Sequence, residues 1–126
     1  MEGTKIRQAA DEARAVANLL ARHRLSVSDE ADLQAAIHGI LLADGRPARR
    51  EAWLGSDRPD FLLGDVAIEV KVKGTNVEVL RQLHRYAAHE EVLAILLVTT
   101  RAAHRTIPRE ACGKPILVQW VGLERL

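Results

Sequence analysis

The segment Glu91–Thr100, EVLAILLVTT, runs from Val92 to Val98 without a polar residue, and this restricts what the chain can fold into. On a half-exposed strand every second position would be polar, and a bilayer span would need about 20 apolar residues. A short unbroken run of this kind predicts a strand covered on both faces, central in a sheet with helices packed on either side.

The rest of the chain supplies those helices and the neighbouring strands. From Thr4 to His23 the residues Ile6, Ala9, Ala10, Ala13, Val16, Ala17 and Leu20 recur at helical spacing. A second helix is expected after Ser28 as N-cap, with Asp29 and Glu30 in its first turn, Ala43 at its end and Gly45 as the stop. The period then changes to two in ARREAWL (48–54), DFLLG (60–64) and VAIEVKV (66–72), separated by GSDRP and by Gly64-Asp65, which reads as a three-stranded antiparallel meander. VEVLRQLHRYAAHE (77–90) reads as a helix, a basic loop follows the apolar strand, and Pro115 opens a last strand, ILVQWV. The order α-α-β-β-β-α-β-β over 126 residues predicts one α/β domain.

Composition narrows the function classes. Net charge is +1, so bulk electrostatics does not mark a nucleic-acid binder, and any such role must rest on local clusters. Two exist: Arg46, Arg49 and Arg50, and the stretch from Arg101 through His104, Arg105 and Arg109 to Lys114; a solvated surface explains either equally well. The N-terminal segment has no apolar stretch after its charges and Cys112 is the single cysteine, so a cytoplasmic protein without disulfides or membrane contact is expected. Nothing matches a zinc spacing, a thiol nucleophile signature or a glycine-rich phosphate loop.

The stretch RPDFLLGDVAIEVKVKG concentrates the chemistry. Strand alternation sends Val66, Ile68, Val70 and Val72 to one face and Glu69, Lys71 and Lys73 to the other. A tight hairpin at Gly64-Asp65 brings Asp60 opposite the far end of the Glu69 strand. Two carboxylates and an ammonium then converge. Asp60 and Glu69, with the backbone carbonyl of Val70, are the expected ligands of Mg²⁺ or Mn²⁺, and Lys71 is expected to orient or activate the attacking water in phosphodiester hydrolysis. The triplet Glu-Val-Lys by itself fits an ordinary half-exposed strand better than a catalytic site.

Taken together, Pro59-Asp60, the nine-residue step to Glu69 and the Glu69-Val70-Lys71 triplet resemble the PD-(D/E)xK nuclease superfamily. Gln82-Leu-His-Arg-Tyr86 resembles the Q-x-x-x-Y element of its RecB-like exonuclease branches. The resemblance implies a restriction-endonuclease-like αβββαβ core with a mixed central sheet over about residues 28–121, preceded by an extra N-terminal helix. It also implies a metal-dependent deoxyribonuclease that leaves 5′-phosphate and 3′-hydroxyl ends, with RNA not excluded as substrate and an acid on the helix before the strands.

That acid is to be chosen among Asp29, Glu30 and Asp32. At about 100° per residue Glu30 lies nearest the apolar stripe of Leu33, Ile37, Ile40 and Leu41, so it is the expected further catalytic residue and ligand, although an acid in a first turn also serves the helix dipole. Gln82 and Tyr86 share a helix face beside Val79 and Leu83, where they would orient a water, Lys71 or a phosphate, or else form a hydrogen-bonded core edge. Arg81, Arg85, Arg101 and Arg105 are the expected phosphate contacts. Cutting both strands of a duplex from one such site would require a homodimer or two encounters. The alternative is a nucleic-acid-binding or regulatory module that keeps the fold without catalysis.

Overall fold

The computed structural model describes residues 2–25 and 29–122. Its elements are α1 (Glu2–Ala21), α2 (Glu30–Ala43), β1 (Arg49–Arg50), β2 (Phe61–Leu63), β3 (Val66–Lys71), α3 (Asn76–Ala87), β4 (Ala94–Thr99), a 3₁₀ helix (Ala102–Thr106), β5 (Glu110–Ala111) and β6 (Lys114–Trp120). The strands form one mixed sheet in the order β1-β2-β3-β4-β6-β5, giving an α/β fold with three α-helices among the described residues. No helix among them is long and apolar enough to cross a membrane.

β4 is central, and burial of both its faces explains why Ala94 to Val98 are all apolar. Leu96 and Val98 join the layer formed with α1 and α2, including Ala13, Val16, Leu20, Leu33, Ile37 and Leu41. Ile95 and Leu97 join the layer under α3, with Val79, Leu83, Tyr86 and Ala87. Leu96 is fully buried, and Leu96→Ala leaves a cavity in the first of these layers. It should cost about 2–5 kcal/mol, read as a lower midpoint in denaturant titration at unchanged slope.

β3 runs parallel to β4, crossing over through α3, and antiparallel to β2 through a two-residue turn. Gly64 holds φ +58 at the first turn position, which an L side chain adopts poorly. α3 opens with a reciprocal capping box between Thr75 and Glu78.

Three expectations need correction. The segment 48–54 is a strand only at Arg49–Arg50, because Glu51 turns to φ 50 and the chain leaves the sheet as a loop. The cap of α2 is Asp29, whose carboxylate accepts the Asp32 N–H at 2.8 Å, while Ser28 lies outside the described residues. The basic segment after β4 is structured: it holds the 3₁₀ helix and the β5–β6 hairpin, whose turn residues Cys112 and Gly113 both have positive φ.

Candidate active site

The β2–β3 register pairs Phe61 with Ile68, so Asp60 stands opposite Glu69 just beyond the end of β2, and Pro59 opposite Val70. Side chains continue the hairpin there. Val70 N–H donates to Asp60 Oδ2 at 2.7 Å, and Asp60 N–H donates to Glu69 Oε1 at 3.2 Å. Proline has no N–H, so Pro59 offers the Val70 carbonyl no ladder donor from this side. That carbonyl shares the β2-facing edge of β3 with the Val70 N–H that reaches Asp60.

Glu69 is 3% exposed, beneath α3. Tyr86 donates its hydroxyl to Glu69 Oε1 at 3.0 Å, and Gln82 Nε2 donates to the Tyr86 oxygen at 2.8 Å, so the two α3 residues act on Glu69 in series. Lys71 Nζ lies 3.3 Å from Glu69 Oε2. Glu30 reaches the same end of β3 from the first turn of α2, accepting the Val72 N–H at 3.2 Å.

Burial dominates the electrostatics. It pushes Asp60 up to about 6, helped by the negative charge of Glu30 and opposed by the Val70 N–H and Lys71. It pushes Glu69 up to about 7, with Asp60 adding to the rise and Lys71 opposing it. Burial and then the Glu69 charge raise Tyr86, which keeps its hydroxyl protonated as the donor. Two carboxylates that resist ionisation beside one lysine form a site in want of positive charge.

Among the described residues no three His, Cys, Asp or Glu side chains converge as a ready-made metal cage. The groups that do come together there are oxygens: the Asp60 and Glu69 carboxylates, with the Val70 carbonyl on the adjoining edge of β3. Such a set fits a hard cation of the Mg²⁺ or Mn²⁺ type, which is held through one or two carboxylates and completes its shell from water and substrate phosphate. It does not fit zinc, which favours nitrogen and sulfur.

A groove of about 330 Å³ adjoins the site through Glu30, Lys71 and Gln82, with Lys73, Glu78 and Arg85 also in its wall; neither Asp60 nor Glu69 lines it. A groove of about 370 Å³ between α1 and β6 is lined by Arg14, Asn18, Arg109 and β6 residues but by no acid, so it lacks the donors that chemistry here requires.

The expected phosphate-contact residues divide. Arg81 is exposed on α3, and Arg85 lines the groove while pairing with Asp57 at 3.3 Å. Arg101 and Arg105 are exposed, Arg105 lying 4.7 Å from the Trp120 ring centroid. The remaining positive groups of that segment serve the fold. Arg109 donates to the Ile107 and Arg105 carbonyls, and Lys114 to those of Ala87 and His89 just past α3. His104 is fully buried between Thr99 Oγ1, at 2.6 Å from Nδ1, and the Gly74 carbonyl, at 2.8 Å from Nε2. A carbonyl only accepts, which assigns the proton to Nε2 and makes Nδ1 the acceptor of the Thr99 hydroxyl. This latch ties the 3₁₀ helix to the loop before α3.

Sequence reasoning did not find this latch. It also missed Asp57, which joins the Trp53–Arg58 loop to His89 at 2.8 Å and to Arg85. Glu51 is exposed and lies 3.9 Å from Arg58.

Comparison of the chain with protein-family models, with curated proteins and with solved structures finds no match.

Proposed function

We propose that the protein is a Mg²⁺- or Mn²⁺-dependent nuclease that hydrolyses phosphodiester bonds in DNA, on a restriction-endonuclease-like core formed by α2-β1-β2-β3-α3-β4. The observation that carries this reading is the convergence of Asp60, Glu69 and Lys71 at the open end of the β2–β3 hairpin, beside a groove with further positive charge. The parallel β3–β4 pair with α3 as its crossover supports the proposed core.

Asp60, Glu69 and the Val70 carbonyl would hold the cation, which when bound lowers the pKa of water and offsets charge on the phosphate. Tyr86 fixes the Glu69 carboxylate, and Gln82 fixes Tyr86. Lys71 would hold its ammonium near the phosphate, offsetting the negative charge that grows as water attacks phosphorus and the bond to the leaving oxygen breaks. Lys73 and Arg85 offer further phosphate contacts along the groove, and Glu30 holds the end of β3 through the Val72 N–H.

The test combines binding with turnover. Single-stranded DNA, duplex DNA and RNA, each end-labelled, are incubated with Mg²⁺, Mn²⁺ or EDTA, and cleavage is expected with either cation and not with EDTA. By calorimetry, Asp60→Ala and Glu69→Ala should each weaken Mn²⁺ binding by at least the ~10–100-fold typical of lost outer-shell partners at metal sites. Unweakened Mn²⁺ binding by both variants would remove the metal assignment. Nucleic-acid binding with no hydrolysis under either cation would favour the non-catalytic module.

A further inference from the structure

We propose that Trp53 is a stacking platform for an unpaired base, so that the substrate enters the site as single-stranded nucleic acid. The inference rests on the proposed reading insofar as that reading places a phosphate at Asp60, Glu69 and Lys71.

Trp53 is 64% exposed, an unusual position for a large apolar ring. Its exposure is not a consequence of a loose loop. The next residue, Leu54, is 3% exposed in the layer under α3. Leu54 and Asp57 exchange two backbone hydrogen bonds of 2.6 and 2.8 Å across a tight turn. Asp57 is then held by His89 and Arg85 of the α3 region, and the Tyr86 hydroxyl lies 3.5 Å from the Arg58 carbonyl. The loop is pinned from beneath while the indole is presented outward, so little conformational freedom remains to be lost on binding.

The platform also adjoins the site. Glu51 N–H donates to the Asp60 carbonyl at 2.9 Å, closing the loop at its base. Trp53 emerges two residues from that closure, a reach of about 7 Å of extended chain. The Arg58 guanidinium lies over one face of the Trp53 indole, 4.9 Å from the ring centroid and 3.9 Å from Glu51, which leaves the opposite face for a base and a positive charge against the platform. Arg58, Arg85, Lys71 and Lys73 thus complement the charge of a polynucleotide backbone between platform and groove.

An aromatic face accepts any base but needs that base free of its neighbours, which a duplex denies without unstacking. Trp120 is a weaker candidate, since it is 40% exposed and ends β6, which β4 separates from the β2–β3 hairpin.

The chain holds two tryptophans, so Trp120→Phe leaves Trp53 as the sole reporter. In this background, with EDTA and low salt, oligo(dT) and oligo(U) are titrated separately and a blunt duplex in parallel. Binding is followed by anisotropy of the labelled nucleic acid and by Trp53 fluorescence. Strong quenching by a single strand, and weak or no quenching by duplex, is expected. Quenching by oligo(dT) alone or by both strands tells whether the platform separates DNA from RNA. Trp53→Ala should weaken single-strand binding about tenfold, the scale of one lost base stack, and Trp53→Phe should restore most of it. Single-strand binding without quenching, equal affinity of Trp53→Ala and the parent, or no binding at all overturns the proposal. Because no hydrolysis is involved, stacking by a protein that cleaves nothing would overturn the nuclease reading alone. Cleavage indifferent to Trp53→Ala would overturn the platform alone.

Discussion

Lys71→Met should give a folded protein that binds Mn²⁺ but cleaves at least ~10²-fold more slowly, the scale of losing one transition-state contact. Methionine keeps the length and apolar bulk of the lysine stem while deleting the ammonium that lies 3.3 Å from Glu69. Lys71 ends β3 with its side chain 21% exposed, so its removal opens no large cavity. Glu69 remains tied to Tyr86 and to the Asp60 N–H, which keeps the carboxylate in place. Single-turnover cleavage at saturating enzyme and cation separates the chemical step from weaker substrate binding. Parental rates from a well-folded variant would reduce Lys71 to an ordinary strand-end residue.

Glu69→Gln should abolish cation-dependent cleavage and, at neutral pH and above, stabilise the cation-free protein. The folded state raises the Glu69 pKa from 4.5 to about 7, so it binds that proton more tightly than the unfolded chain does. The linked stability is present in full below the unfolded value and is lost as pH rises through the folded one. Parent and variant should therefore be similar at pH 4–5, where Glu69 is protonated and close to glutamine in shape. By pH 8 the parent should be the less stable by on the order of 3 kcal/mol, since each tenfold difference in proton affinity between folded and unfolded states is worth about 1.4 kcal/mol. Asp60 titrates in the same direction in both proteins, since its rise comes first from burial, with the charges of Glu30 and Glu51 adding to it. Denaturant titrations in EDTA at pH 5 and pH 8 check this, and parallel pH profiles would refute it. Added Mn²⁺ should reverse the order at pH 8 by stabilising only the parent. Both outcomes together would show that the Glu69 charge trades stability of the cation-free fold for function, as functional groups commonly do.

What the sequence made legible was local or periodic. The both-face burial of β4 follows from seven apolar residues in a row, and the approach of Asp60 to Glu69 follows from a two-residue turn. Glu30 was reachable from the turn angle of its helix, and Gln82 and Tyr86 from their four-residue spacing. What stayed hidden depends on contacts between distant residues. Asp57 and His89 are 32 residues apart and His104 and Gly74 are 30 apart, and no periodicity links them. The segment 48–54 misled for the same reason: its alternation favours a strand, but the Glu51–Asp60 hydrogen bond and the anchors at Leu54 and Asp57 hold it as a loop. The basic segment was overestimated as a surface because sequence alone does not show that Arg109, Lys114 and His104 spend their donors on carbonyls.

The β2–β3 hairpin also imposes a parity rule on the chain. Asp60 and Glu69 are partners because equal numbers of residues lead from the Gly64-Asp65 turn back to one and forward to the other. Lengthening both arms by two residues preserves the facing pair and changes the spacing from nine to thirteen. One added residue in a single arm shifts the register by one and turns the carboxylate of that arm to the opposite face of the sheet. The spacing of the two acids is thus a symmetry of the turn, and a chain with a longer hairpin can hold the same two carboxylates at a different sequence distance.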